Sequence, residues 1–272
     1  MQGAALKDST NYTTQDWALK LFKLSYLKQA KFKEIVRLLD PMDGKRGFDI
    51  GADNGVISVL LRRRGGTWIS GDLDETAIQS IRSLVGDGVV KLDGCRTQFA
   101  HDSFDLVLII DFLEHIETDQ LFLREVGRIL KTGGLFVIHV PHKKKWSLIR
   151  PFRNALGLTD EQHGHLRPGY TLDELTRMLG SIFIIESAKT YSRFFSQFFD
   201  ALISFLYARI KKGDNGRKGV LLTPEDLGRF RKQLRLYAWI RPLMWFFAQL
   251  DRVLFFTKGY NLLIRTRLVS KF

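Results

Sequence analysis

The sequence predicts an α/β fold, a doubly wound parallel sheet with helices on both faces. Short apolar runs alternate with amphipathic stretches from residue 47 to residue 179, the order of βα units that feed a parallel sheet. Two runs, "FDLVLII" at 104–110 and "LFVIHV" at 135–140, are apolar but for Asp105 and His139, as strands covered on both faces are. The first run ends in a glycine turn, "FDIGADNG" at 48–55, where a strand gives way to a helix.

The elements follow in order. Residues 14–39 read as one amphipathic helix, with Trp17, Leu21, Leu24, Leu27 and Phe32 apolar and lysines between them. Strand 47–50 comes next, then helix 55–64, strand 67–71, helix 75–85 and strand 89–92. After strand 104–110, helix 119–130 is expected to stop at Lys131-Thr132-Gly133-Gly134, because glycine suits a left-handed cap. Strand 135–140 leads into a loop, 141–170. Thr171 and Glu174 form a capping box that opens a helix reaching Leu179. Residues 182–191 and 260–268 read as the last two strands. Between them lie roughly 65 residues with two or three helices.

The formal charge of +13 is unevenly spread. Residues 1–190 hold 26 Lys+Arg against 24 Asp+Glu, whereas residues 191–272 hold 16 against 5 and 17 of the 33 aromatic residues. A near-neutral body thus carries a basic, aromatic tail, which points to an anionic partner. The one cysteine, Cys95, excludes an internal disulfide and fits a reducing compartment. No secretory signal and no spanning helix are evident, so the chain is expected in the cytoplasm or peripherally at the inner face of its membrane.

Glycines at 51 and 55 let the backbone approach a ligand, and the helix that follows points its N-terminus there. The turn departs from the dinucleotide fingerprint at Asp53, where a middle glycine is expected. An acid there would repel a pyrophosphate, which disfavours NAD and FAD. It suits a cofactor with an amino group and a cationic centre. Asp72, about 20 residues after Gly51, stands where a carboxylate accepts both ribose hydroxyls. Asp93 ends the third strand in the same crevice, where an adenine amino group could donate to it. Acids at strand ends are also common as solvated loop residues, but three at this spacing beside a glycine turn favour a ligand.

With these residues in place, the sequence resembles the class I S-adenosylmethionine-dependent methyltransferases, in particular the type-11-like group. "FDIGADNG" resembles the family's acid-x-Gly-x-Gly-x-Gly loop, with Asp53 replacing the second glycine. "GDLDETAI" (71–78) is similar to its ribose-binding strand end, and "LDGCRTQFAHDSFDLVLIIDFLEHIE" (92–117) to its adenine-to-active-site stretch. "LREVGRILKTGGLFVIHVPH" (123–142) and "HLRPGYTLDELTRML" (165–179) match later family segments. The resemblance implies a Rossmann-like, mostly parallel seven-stranded sheet whose last strand is antiparallel. It implies S-adenosylmethionine as cofactor, held along Asp49, Gly51, Ala52, Asp53, Gly55, Asp72, Leu73, Asp93, Gly94 and Asp111. In it Gly51 and Gly55 line the methionine moiety, Asp49 orders the amino group and Asp72 holds the ribose. Asp93 and Gly94 recognise adenine, and Asp111 faces the sulfonium and substrate. Aspartate tolerates positive φ, so the turn can survive Asp53.

A hydroxyl nucleophile needs a base. The candidates are His115, His142, His163 and His165, with His142 and His165 favoured, alongside Asp111, as catalytic. In "FLEHI", His115 reads more readily as packing or hydrogen-bonding in a helix start. His163 and His165 have a metal-pair spacing, but no carboxylate pattern supports a metal, and none is expected.

The organisation expected is a helical lid at 1–45, a cofactor-binding core at 46–193, a basic aromatic helical insertion at 194–257 and a last strand with tail at 258–272. In the insertion, Phe194, Phe195, Phe198, Phe199, Leu202, Phe205 and Leu206 recur at helical spacing, followed by "RIKKGDNGRK" (209–218). A second stripe runs through Trp239, Leu243, Phe246, Phe247, Leu250 and Leu254. A lid or core pair, contact with an anionic membrane surface and a homodimer interface all remain open. The leading function is methyl transfer to a small or lipid-linked acceptor, at oxygen. The alternatives are an RNA methyltransferase and a non-catalytic binding protein with a degenerate pocket. Nucleic acid is disfavoured, because the basic residues accompany long apolar stripes and no scattered stacking aromatics.

Overall fold

The computed structural model describes residues 14–144, 147–159, 164–210 and 227–271. Seven strands form one sheet: β1 (Arg46–Ile50), β2 (Thr67–Asp72), β3 (Val89–Lys91), β4 (Phe104–Ile110), β5 (Leu130–Pro141), β6 (Phe183–Tyr191) and β7 (Asn261–Leu268). Their order is β3-β2-β1-β4-β5-β7-β6. β1 to β5 run parallel, and β7 lies antiparallel between β5 and β6. This is the Rossmann-like sheet that the resemblance implies.

The apolar run of β4 is buried on both faces. Val107 and Ile109 pack with Phe48, Phe122 and Val126 on one side, where α5 (Asp119–Ile129) and α7 (Leu172–Leu179) lie. Leu106, Leu108 and Ile110 pack with Ile35, Leu61 and Trp68 on the other. Alternation with period two puts consecutive residues on opposite faces. The two cores need a strand with no polar face.

The amino-terminal stretch is two helices, α1 (Thr14–Leu24) and α2 (Tyr26–Val36), not one. Ser25 breaks it: its hydroxyl accepts the Lys28 N–H at 3.4 Å and caps α2. Ala18, Leu19 and Phe22 of α1 pack on Val56 and Val59 of α3 (Val56–Arg62) and on Leu84 of α4 (Glu75–Val85). A second correction concerns 130–134. Helix α5 passes straight into β5 at Leu130, and Gly133, at φ +77, sits in the strand's irregular start and not in a helix cap. The pairing jumps from Phe104↔Leu130 to Leu106↔Leu135, so a bulge absorbs the extra residues. The capping box at Thr171 and Glu174 forms as expected. The loop after β5 contains a short helix, α6 (Ile149–Ala155).

Between β6 and β7 stand α8 (Phe194–Ile210) and α9 (Leu227–Leu250). Phe199 stacks on Phe247 with 3.6 Å between centroids, and Phe152 of α6 stacks on Phe198 at 4.6 Å. Buried Asp251 accepts the N–H groups of Arg193 (2.7 Å) and Phe195 (2.9 Å), so it caps α8 from beyond the end of α9. Most of the basic stretch 209–218 lies outside the described residues, as does His163.

Candidate functional site

The turn after β1 is built by backbone conformations that few residues allow. Gly51 has φ +78, and a Cβ there would lie 2.1 Å from the Ile110 carbonyl oxygen, so glycine lets the ends of β1 and β4 meet. The N–H groups of Gly51 and Ala52 donate to the Gly71 carbonyl at 3.0 and 3.3 Å, tying the turn to β2. Asp53 takes φ +49, the left-handed region that aspartate visits more readily than most residues. Its N–H donates to the Asp72 carboxylate at 2.9 Å. Asp72 also accepts from Leu73 N–H at 2.8 Å. Burial pushes the Asp72 pKa up, against the pull of those backbone donors.

Asp111, one residue past β4, is a second strained aspartate at φ +45. Its carboxylate receives Lys31 Nζ at 2.5 Å and His139 Nδ1 at 2.9 Å. The other ring nitrogen of His139 accepts the Tyr191 hydroxyl at 2.5 Å. Burial would raise the Asp111 pKa, but Lys31 and His139 outweigh it and hold the carboxylate well below the usual range. Burial holds His139 below its ordinary value, in spite of Asp111. A chain Lys31–Asp111–His139–Tyr191 therefore links α2, β4, β5 and β6.

These turns enclose a cavity of about 290 Å³ at the carboxyl ends of β1, β2 and β4. Asp53, Asp72, Asp74 and Asp111 contribute its acidic side, while Phe22, Lys28 and Lys31 reach it from α1 and α2. Gly51, Ala52, Leu73 and His115 also line it. Opposite charges thus face each other across one crevice.

Other expected residues sit elsewhere. Asp49 is fully buried beneath the turn; its Oδ2 accepts Ser58 Oγ at 2.6 Å, and its Oδ1 has no hydrogen-bond partner. Burial raises its pKa to about 6. Gly55 caps α3 from below, where a Cβ would meet Ile81 Cα at 2.8 Å. Asp93 spends its carboxylate on the N–H groups of Cys95 and Arg96 at 2.8 and 2.9 Å. Neither Asp93 nor Gly94 lines the cavity, although Gly94 packs beside Leu73, which does. His142 is buried and donates Nδ1–H to the Gly259 carbonyl at 2.9 Å; it does not reach the crevice.

His165 approaches indirectly. Leu166 N–H donates to the Glu114 carbonyl at 2.8 Å, and Arg167 donates to the Ile116 carbonyl at 2.8 Å. These bonds pin the loop before α7 onto residues 114–116. The His165 ring then meets His115 edge-on, with centroids 4.8 Å apart. His115 donates Nδ1–H to the Gly164 carbonyl at 2.9 Å. Among the described residues, Glu114, His115 and His165 bring ligand-type atoms within 4.8 Å of one another. Lys31, His139 and Tyr191 were not singled out in the sequence. A lysine in an amphipathic helix reads as solvated, and His139 lies inside an apolar strand.

Residues 48–138 match the family model described as "Methyltransferase domain". Residues 48–138 thus carry a methyltransferase domain. A curated relative of this domain is the "Ubiquinone biosynthesis O-methyltransferase" of Mesorhizobium japonicum, 27% identical over 124 residues, which cover 43% of this chain and 50% of the relative. The chain thus spans about half the length of the curated relatives it matches. Among solved structures, an S-adenosylmethionine-dependent methyltransferase from Mesorhizobium loti superposes with a TM-score of 0.52 at 20% identity, covering 88% of this chain and 97% of that one. One from Thermotoga maritima gives 0.54 at 16% identity, with 93% of each chain covered. At these identities the structures establish the methyltransferase fold. They do not carry an acceptor.

Proposed function

We propose that this protein is an S-adenosylmethionine-dependent methyltransferase that methylates a hydroxyl of a small or lipid-linked acceptor. The observation that carries the reading is the crevice with acids on its sheet side and lysines on its roof, at the carboxyl ends of β1, β2 and β4. The residues present fit the cofactor. S-adenosylmethionine bears two cationic groups and one carboxylate; the crevice offers four aspartates against Lys28 and Lys31. Gly51 leaves room for close backbone approach, and a pyrophosphate would meet acids where it needs donors.

Asp72, already oriented by three backbone N–H groups, is placed to accept ribose hydroxyls. Leu73, with Asp93 and Gly94 behind it, forms the adenine end. Asp53 and the Gly51–Ala52 backbone border the methionine end, where Lys28 and Lys31 are the cations for its carboxylate. Asp49 supports this turn from below through Ser58 and Ser70. Asp111, kept ionised by Lys31 and His139, supplies a fixed negative charge beside the reacting centre.

When bound, S-adenosylmethionine supplies an electrophilic methyl group; the chain must orient the acceptor, exclude water and take its proton. A carboxylate held as firmly ionised as Asp111 is a weak base. His115 is better suited, because it lines the crevice and carries His165 against its ring. Oxygen as the accepting atom is supported by the names of the curated relatives.

Incubation with methyl-labelled S-adenosylmethionine and separate lipid, aqueous and RNA extracts tests the reading. Label is expected in the lipid or the small-molecule fraction, and to fall at least tenfold with His115→Ala. Label in RNA alone, or in no fraction, would overturn it.

A further inference from the structure

From Trp239 onward, helix α9 is apolar on two sides. Its inward side packs Phe247 on Phe199 of α8, and the helix also lies against α1 and α2. Its outward side carries Trp239, Leu243 and Phe246, spaced i, i+4 and i+7 on one face, all exposed, with Trp239 at 83%. Exposed Trp245 flanks this row, and the turn beyond it leaves Phe255 and Phe256 at 78% and 74% exposure. Large aromatic side chains in such a group are unusual on a surface facing only water.

Charge decides what covers them. Arg241, Arg252 and Lys258 are exposed among these aromatics. The one acid between 239 and 260, Asp251, is buried as the cap of α8. The face is therefore aromatic and cationic, with no exposed acid. A second copy placed on it would bring positive charge against positive charge. Among the described residues, no helix is long and apolar enough to cross a membrane, so a bilayer would meet this face in its interfacial plane, where Trp and Phe are favoured beside basic side chains.

We propose that the face from Trp239 to Lys258 seats on the surface of an anionic lipid bilayer. Since α9 touches α1 and α2, whose residues roof the cavity, seating brings the roof close to the lipid. An acceptor carried on a lipid anchor would then reach the crevice without leaving the surface. That last step rests on the methyl-transfer reading; the seating does not, and it is measured without cofactor or acceptor.

The full chain is sedimented with vesicles of phosphatidylcholine, alone or mixed with phosphatidylglycerol, at low and high salt. Binding is expected with the mixed vesicles, with a blue shift of tryptophan emission, and is expected to weaken at high salt. Arg241→Glu with Arg252→Glu should cost at least about twenty-five-fold, near fivefold per basic residue removed. Phe255→Ser with Phe256→Ser, which alters exposed side chains alone, should cost at least about tenfold. Circular dichroism melts of both variants separate a folding defect from a binding defect, and the salt titration needs no variant. Equal recovery in the supernatant with both vesicle types would overturn the proposal. So would a dimer in solution that the Phe255/Phe256 variant dissolves, or binding to RNA in place of vesicles.

Discussion

Gly51→Ala is the perturbation that separates a built turn from a merely flexible one. Two costs add there. An alanine at φ +78 carries about 1–2 kcal/mol of left-handed strain. Its Cβ would also sit 2.1 Å from the Ile110 carbonyl oxygen, so the end of β4 must move outward by more than an ångström. Overpacking of that kind costs about 1–3 kcal/mol, giving a total of roughly 2–5 kcal/mol and a fall in melting temperature of about 5–15 °C for a chain this size. Gly44→Ala is the control: Gly44 has φ +69 but nothing within 4 Å of its Cβ position, so it carries the strain alone. Any gain from restricting the unfolded chain is common to both variants. Thermal melts followed by circular dichroism compare the two, and calorimetry with S-adenosylmethionine reads the site. If Gly51→Ala melts with Gly44→Ala and binds the ligand as the parent does, the close approach of β1 and β4 is not what shapes the crevice.

Three further predictions address charge. Asp49 keeps its proton up to about pH 6 when folded, against 3.8 for an ordinary aspartate. Between those values the folded state binds more protons, so its stability falls as pH rises from about 4 to 6 and then levels. Asp49→Asn should lack that fall, with a difference of order 2–3 kcal/mol between pH 4 and pH 8 in urea titrations; parallel curves for the two proteins would refute the burial argument. Lys31→Ala and Asp111→Asn should be coupled by about 1–3 kcal/mol in a double-mutant cycle of stability, and additive values would dissolve the proposed ion pair. Asp251→Ala removes the acceptor of the N–H groups at the start of α8 and should cost about 2 kcal/mol, measured by chemical denaturation, whereas a neutral effect would show that the cap is dispensable.

Much of the fold was legible because strands buried on both faces must be continuously apolar, and β4 is so from Leu106 to Ile110. The glycine turn was legible because backbone crowding leaves little choice, and Asp53 adopts the positive φ anticipated for it. What was missed shares a cause. The break at Ser25 is a single side-chain cap inside an unbroken apolar periodicity, and period alone cannot register it. Gly133 looks like a helix cap because a bulge and a cap demand the same left-handed glycine. The site's second half depends on contacts distant in the chain: Lys31 is 80 residues from Asp111, and His115 acquires its place through Gly164 and His165. His142 looked favourable at a strand's end, but its ring turns to Gly259. A strand end tells where a residue emerges, not which way it points.

Titration of the full chain with S-adenosylmethionine, and separately with NAD, tests most directly whether acids and roof lysines select an adenosyl sulfonium. We expect saturable heat with S-adenosylmethionine alone, weakened about 10–100-fold by Asp72→Asn. Tighter binding of NAD, or an S-adenosylmethionine affinity that Asp72→Asn leaves untouched, would contradict the assignment of this crevice.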